Sequence, residues 1–114
     1  MSSGRGHEAR VLIHGESGWK GHLCVYLLAS GYRGTLYFGV TSHLVQRVWQ
    51  HREAGVDGFT KRFGVTRLAW FEVHEVMACA MLREKALKHW HRAWKRRLIE
   101  AENPQWHDLY ESLL

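Results

Sequence analysis

"YRGTLYFGVTSHLVQRVWQH", residues 32–51, decides the fold. It reads as a turn, a strand, a second turn and a helix. The strand is Thr35–Val40, rich in β-formers. The helix spans about residues 43–54, with Thr41 or Ser42 as its N-cap and Gly55 ending it. Residues at i, i+3, i+4 and i+7 share one helical stripe, here Leu44, Arg47, Val48 and His51. An arginine and a histidine on an otherwise apolar stripe ask for a partner or a task.

Working outward, "LCVYLLAS" (23–30) is a buried strand, and "SGYRG" (30–34) is a turn with glycine near both ends. The two strands form a hairpin. A turn centred on Gly31-Tyr32 pairs residues that sum to 63 and sets Tyr26 directly opposite Tyr37. Any even-length loop keeps both tyrosines on one sheet face, because side chains alternate with period two. "VTRLAWFEV" (65–73) has a continuous apolar centre, as in a strand buried on both faces. A helical pattern starts near residue 77 and runs to about 102, where Asn103-Pro104 stops it. A helix of that length is long for this chain, so a break is expected near His89–Arg92. "QWHDLYESLL" closes the chain as a short helix. The fold class is α+β: a small three-stranded antiparallel sheet flanked by helices. Residues 1–21 carry five glycines and no period and read as a flexible extension, leaving 22–114 as the single domain.

The 114 residues suffice for a hydrophobic core without staples. The two cysteines, Cys24 and Cys79, form no CxxC and argue against a disulfide scaffold. Both fall on apolar elements and read as inert core thiols. They fit a reducing, cytoplasmic setting. No apolar run is long enough to span a membrane, so no membrane partner is expected. The net charge is +5 with a pI near 9.6, which favours anionic partners. Between residues 83 and 97, seven Lys and Arg face one acid, Glu84. A solvated face usually alternates sign, so this bias leans toward phosphate.

Glu84 repeats the puzzle of Arg47. Met77, Ala80, Met81, Glu84 and Leu87 follow helical spacing, so an acid interrupts an apolar stripe. A buried carboxylate needs an arginine, a histidine or a metal ion. Grouped around one shallow site, Glu84, Arg47, His51 and the tyrosines suit phosphodiester hydrolysis. The carboxylate holds Mg²⁺, the guanidinium binds phosphate oxygens, and a tyrosine or histidine takes the proton of water. Each residue also has a plain role. The tyrosines can be cross-strand partners, and Arg47–Glu84 can be an internal ion pair. His51 can be a satisfied helix-end residue, Glu84 can reach solvent, and Asn103 can simply end a helix.

Several stretches resemble the GIY-YIG nuclease superfamily. "CVY" (24–26) and "YFG" (37–39) resemble its two signature triplets, and "RVWQH" (47–51) its arginine and following histidine. "LREKALK" (82–88) resembles its acidic helix, and "NPQWHDLY" (103–110) its Asn-containing segment. "GVTSHL", "GFTKRFGVTRL" and "REKALKHW" resemble the small stand-alone bacterial members, similar to the UvrC N-terminal nuclease domain. Cys24 stands in place of the first signature glycine, and Phe38 in place of an isoleucine.

The resemblance implies catalytic roles for Tyr26, Tyr37, Arg47, His51, Glu84 and Asn103, with one tyrosine as general base. It makes Glu84 the ligand of a single Mg²⁺ or Mn²⁺, and Thr41 a site-edge position. It makes Lys61, with Arg62 beside it, a contact for flanking phosphate. It implies a metal-dependent DNA endonuclease acting in repair, recombination or processing as a monomer or weak homo-oligomer. The sequence shows no base-reading module such as a recognition helix or zinc finger, so any preference is expected to be for DNA structure or to come from a partner. Whether the DNA is single-stranded, duplex or branched stays open. The competing readings are a catalytically silent nucleic-acid-binding module and a structural domain built around an Arg47–Glu84 ion pair.

Overall fold

The computed structural model describes residues 22–54 and 62–114. The expected N-terminal extension and most of the 55–64 loop, including Lys61, lie outside the described residues. The elements are β1 (Leu23–Ala29), β2 (Leu36–Thr41), α1 (Leu44–Trp49), a π-helical turn (Gln50–Ala54), β3 (Arg67–His74), α2 (Met77–Lys88), α3 (Arg92–Glu100) and a closing 3₁₀ turn (Tyr110–Leu113). The break expected in the long helical stretch falls at residues 89–91. Neither expected N-cap of α1, Thr41 or Ser42, is used. His43 is the N-cap, and Thr41 Oγ1 instead accepts the His43 N–H at 3.0 Å.

The sheet is antiparallel, in the order β2-β1-β3. Central β1 is buried almost throughout because both faces are covered. Its even-numbered residues Cys24, Tyr26 and Leu28 join Leu44 and Val48 of α1, Leu68 and Phe71 of β3, and the C-terminal Leu109 and Leu113. Its odd-numbered residues Val25, Leu27 and Ala29 join Phe38, Trp70, Ala80 and Leu87 of α2, Ile99 of α3 and Trp106. Two thin cores thus sandwich one sheet. Each fully buried Leu, Val or Phe contributes on the order of 1.5–3 kcal/mol.

The hairpin register differs from the expected one. Paired residues sum to 65, so Tyr26 faces Gly39 and Tyr37 faces Leu28. The loop has four residues, not two. Ser30 N–H donates to Thr35 O at 3.0 Å, and Gly34 N–H donates to Gly31 O at 3.0 Å. Arg33, rather than a glycine, takes the left-handed conformation (φ 55°). Tertiary contacts hold it there. Its guanidinium pairs with Glu100 at 2.9 Å, and Arg92 Nη2 donates to the carbonyls of Arg33 and Gly34 at 2.8 and 2.6 Å. The loop length is still even, so both tyrosines keep one face.

β3 carries a bulge. Leu27 pairs with Trp70 and Leu28 with Leu68, leaving Ala69 outside the ladder. The extra residue lets Ala69 and Trp70 both enter the second core, breaking strict alternation. It also frees a buried carbonyl, which Asn103 takes: Nδ2 donates to Ala69 O at 3.0 Å. The same amide donates to His107 O at 2.9 Å and accepts the His107 N–H at 3.0 Å.

The cysteines part company. Cys24 is buried, which pushes its thiol up to about 12 and keeps it neutral. Cys79, expected in the core, is exposed on α2.

Candidate active site

Tyr26 leaves β1 toward α1, and its ring lies across β2. Only glycine allows this. A Cβ on Gly39 would fall 2.4 Å from both Cζ and Oη of Tyr26. The glycine of "YFG" is therefore the floor under the first tyrosine. Gly39→Ala should displace that ring and cost about 1–3 kcal/mol. A denaturant midpoint measures the cost, and an unchanged midpoint contradicts the account.

Beyond Gly39 the Tyr26 hydroxyl reaches the helix. Tyr26 Oη and His51 Nε2 are hydrogen-bonded at 3.1 Å, both residues almost fully buried. The Tyr37 ring lies 5.2 Å from the His51 ring, centroid to centroid. Each residue follows from local structure. Strand alternation puts both tyrosines on the α1 side, and the Leu44/Val48 stripe turns His51 inward. His51 sits in the π turn, where one extra residue re-aims the side chains. Arg52, next in that turn, pairs with Asp108 and lies over the Tyr110 ring at 4.7 Å, tying the turn to the C-terminal segment. Asp108 Oδ1 also accepts the Leu68 N–H at 3.1 Å.

The other expected residues are less tightly gathered. Arg47 is exposed, and its Nη1 donates to Gln50 Oε1 at a long 3.5 Å. One turn before His51, it presents a guanidinium to solvent. Glu84 lies between buried Ala80 and Leu87 of α2, which enter the second core, so it comes from the other sheet face. Its Oε2 pairs with Lys88 Nζ at 2.7 Å and its side chain keeps 18% exposure. Among the described residues Arg47 and Glu84 form no ion pair with each other, so the expected alternative of an internal Arg47–Glu84 bridge does not hold. Asn103 is buried in the backbone network of the bulge. Thr41 is spent on His43, and Arg62 is exposed beside the Phe63 ring.

Sequence reasoning missed the π turn and the role of Gly39. The helical period is silent on the first. The second depends on the register that pairs Tyr26 with Gly39, whereas the expected register set Tyr26 opposite Tyr37.

No group of three or more His, Cys, Asp or Glu side chains forms a preformed metal centre among the described residues. A lone, partly exposed carboxylate suits a hard ion that keeps waters and takes further ligands from phosphate, as Mg²⁺ does. It does not suit zinc, which wants several protein ligands. The described helices include none long and apolar enough to cross a membrane.

A sequence model of the GIY-YIG catalytic domain matches residues 22–97, from the start of β1 into α3. No curated protein and no solved structure matches the chain. The matched span contains both tyrosines, Arg47, His51 and Glu84, on a three-stranded antiparallel sheet flanked by helices. The chain therefore belongs to the GIY-YIG family and carries its nuclease domain.

Proposed function

We propose that the protein is a divalent-metal-dependent endonuclease that hydrolyses DNA phosphodiester bonds, selecting substrates by structure in repair, recombination or processing. The buried Tyr26–His51 hydrogen bond on a GIY-YIG domain carries this reading. A tyrosine oxygen bonded to an imidazole nitrogen is a proton-transfer pair. Tyr26 takes the proton of the attacking water while its own proton passes to His51 Nε2. The water oxygen then bonds to phosphorus as the bond to the 3′ oxygen breaks, and the departing 3′ oxygen takes a proton from solvent. Tyr37 walls the imidazole. The exposed Arg47 binds phosphate oxygens and steadies the charge that builds on them.

Glu84 fits a single Mg²⁺ or Mn²⁺ once Lys88 releases it, with Arg62 and Lys61 as outer phosphate contacts. A scissile phosphate seated at the sheet edge, between the Tyr26 face and α2, would let that ion supply Lewis-acid charge at the phosphate and at the leaving oxygen. Asn103 acts here by holding the sheet that carries Tyr26.

Arg47→Gln and Glu84→Gln test the reading against single-stranded, duplex and branched DNA. Each should lower the Mg²⁺-dependent cleavage rate by about 10²–10³-fold, the cost of losing one transition-state charge contact. Both variants cutting like wild type would defeat it. DNA binding with steep salt dependence and no cleavage by the wild type would favour the silent binding module.

A further inference from the structure

On the sheet face away from Tyr26, the hairpin loop, β2 and the α2–α3 corner enclose a groove of about 520 Å³. Its walls include Arg33, Thr35, Phe38, Lys88, Arg92 and Lys95, and no acid among the described residues. Two of the four cations have carboxylate partners outside it, Arg33 with Glu100 and Lys88 with Glu84. The other two bond to backbone carbonyls. Arg92 holds those of Arg33 and Gly34, and Lys95 Nζ donates to Lys88 O at 3.2 Å. Lys95 Nζ also lies 5.3 Å from the centre of the Phe38 ring. Two positive charges therefore stand side by side with no carboxylate partner among the described residues. Burial, and then the neighbouring Arg92, pull the Lys95 ammonium below its ordinary pKa. An anion in the groove relieves that repulsion.

We infer that this groove is a second phosphate-binding site, taking backbone phosphates of a nucleic-acid strand away from the scissile bond. The inference rests on the reading of the protein as a nuclease. Small-molecule sites are mostly apolar with a few polar groups, whereas here the polar groups are cations and the one ring, Phe38, is buried. Such a groove grips a polymer backbone and reads no bases. Lys88 connects it to the candidate metal ligand, lining the groove while bonding Glu84 at 2.7 Å. Sequence reading saw the 83–97 cations but not Arg33, which the hairpin supplies from far along the chain.

The test measures binding of labelled single-stranded and duplex DNA in EDTA, across a range of salt. Lys95→Gln should weaken binding about 3–10-fold and reduce the salt slope by about one, while Lys95→Arg restores both. Lys88→Gln/Lys95→Gln should reduce the slope by about two. If Lys95→Gln fails to fold, Lys88→Gln alone carries the test, since that side chain is about half exposed. Unchanged affinity and slope in these variants overturn the groove. So does Lys95-dependent binding to anionic phospholipid vesicles that exceeds binding to DNA. Cleavage in Mg²⁺ is scored separately. A wild type that binds through Lys95 but never cuts keeps the groove and removes the nuclease reading. A wild type that cuts, with groove variants binding normally, does the reverse.

Discussion

Tyr26→Phe should lower the rate of DNA cleavage by about 10²–10⁴-fold, the usual contribution of a positioned general base. The change removes one oxygen and little else. The ring is almost fully buried over Gly39, with no room to shift, and stays in the first core. His51 Nε2 loses the Tyr26 hydrogen bond at 3.1 Å, which costs on the order of 1 kcal/mol of stability. Substrate affinity should change little, because the phosphate contacts assigned to Arg47 and the groove are untouched. Single-turnover rates at saturating DNA, with a thermal midpoint alongside, separate chemistry from folding. A loss of only a few-fold, with the fold intact, would mean that Tyr26 is a packing residue and that the base lies elsewhere.

The second large effect concerns stability. Asn103→Ala should destabilise the domain by about 3–5 kcal/mol. The amide joins three backbone groups: the Ala69 carbonyl freed by the bulge, and the carbonyl and N–H of His107. Each group stranded in a buried setting costs about 1–3 kcal/mol, less whatever water recovers. Asn103 is itself 4% exposed. The bulge sits at Leu27/Leu28, just after Tyr26 on β1, so the network stiffens the strand that carries the site. At a temperature where the variant is folded, cleavage should persist within about ten-fold, in the range of an indirect positioning effect. Denaturant unfolding and cleavage, measured on the same preparation, test this. An intact midpoint with abolished cleavage would put Asn103 on the substrate instead.

Much of the architecture was legible because period and punctuation agreed. "LCVYLLA" and the apolar centre of "LAWF" marked β1 and β3, and Asn103-Pro104 marked where the helices stop. His89–His91 broke the long helix where its length demanded. The hairpin register was not legible. Glycine is the residue expected at a positive φ, yet Arg33 takes it because Glu100 and Arg92, far along the chain, hold it there. The bulge at Ala69 was hidden for a similar reason, since an unbroken apolar run does not betray a change of face. Within the candidate site, period two placed Tyr26 and Tyr37 on one face, and the stripe on α1 turned His51 toward them. The sidedness of Glu84 depends on which sheet face α2 covers, and a stripe cannot state that. Cys79 shows the same limit: an apolar neighbourhood in sequence lies on the open side of α2 in space.

Incubating the wild type with branched, duplex and single-stranded DNA, in Mg²⁺ and in EDTA, tests the central claim most directly. The account predicts cleavage in Mg²⁺ with at least one of these substrates, none in EDTA, and loss of cleavage in Tyr26→Phe. Intact DNA under every condition, or cutting that proceeds equally in EDTA, would contradict it.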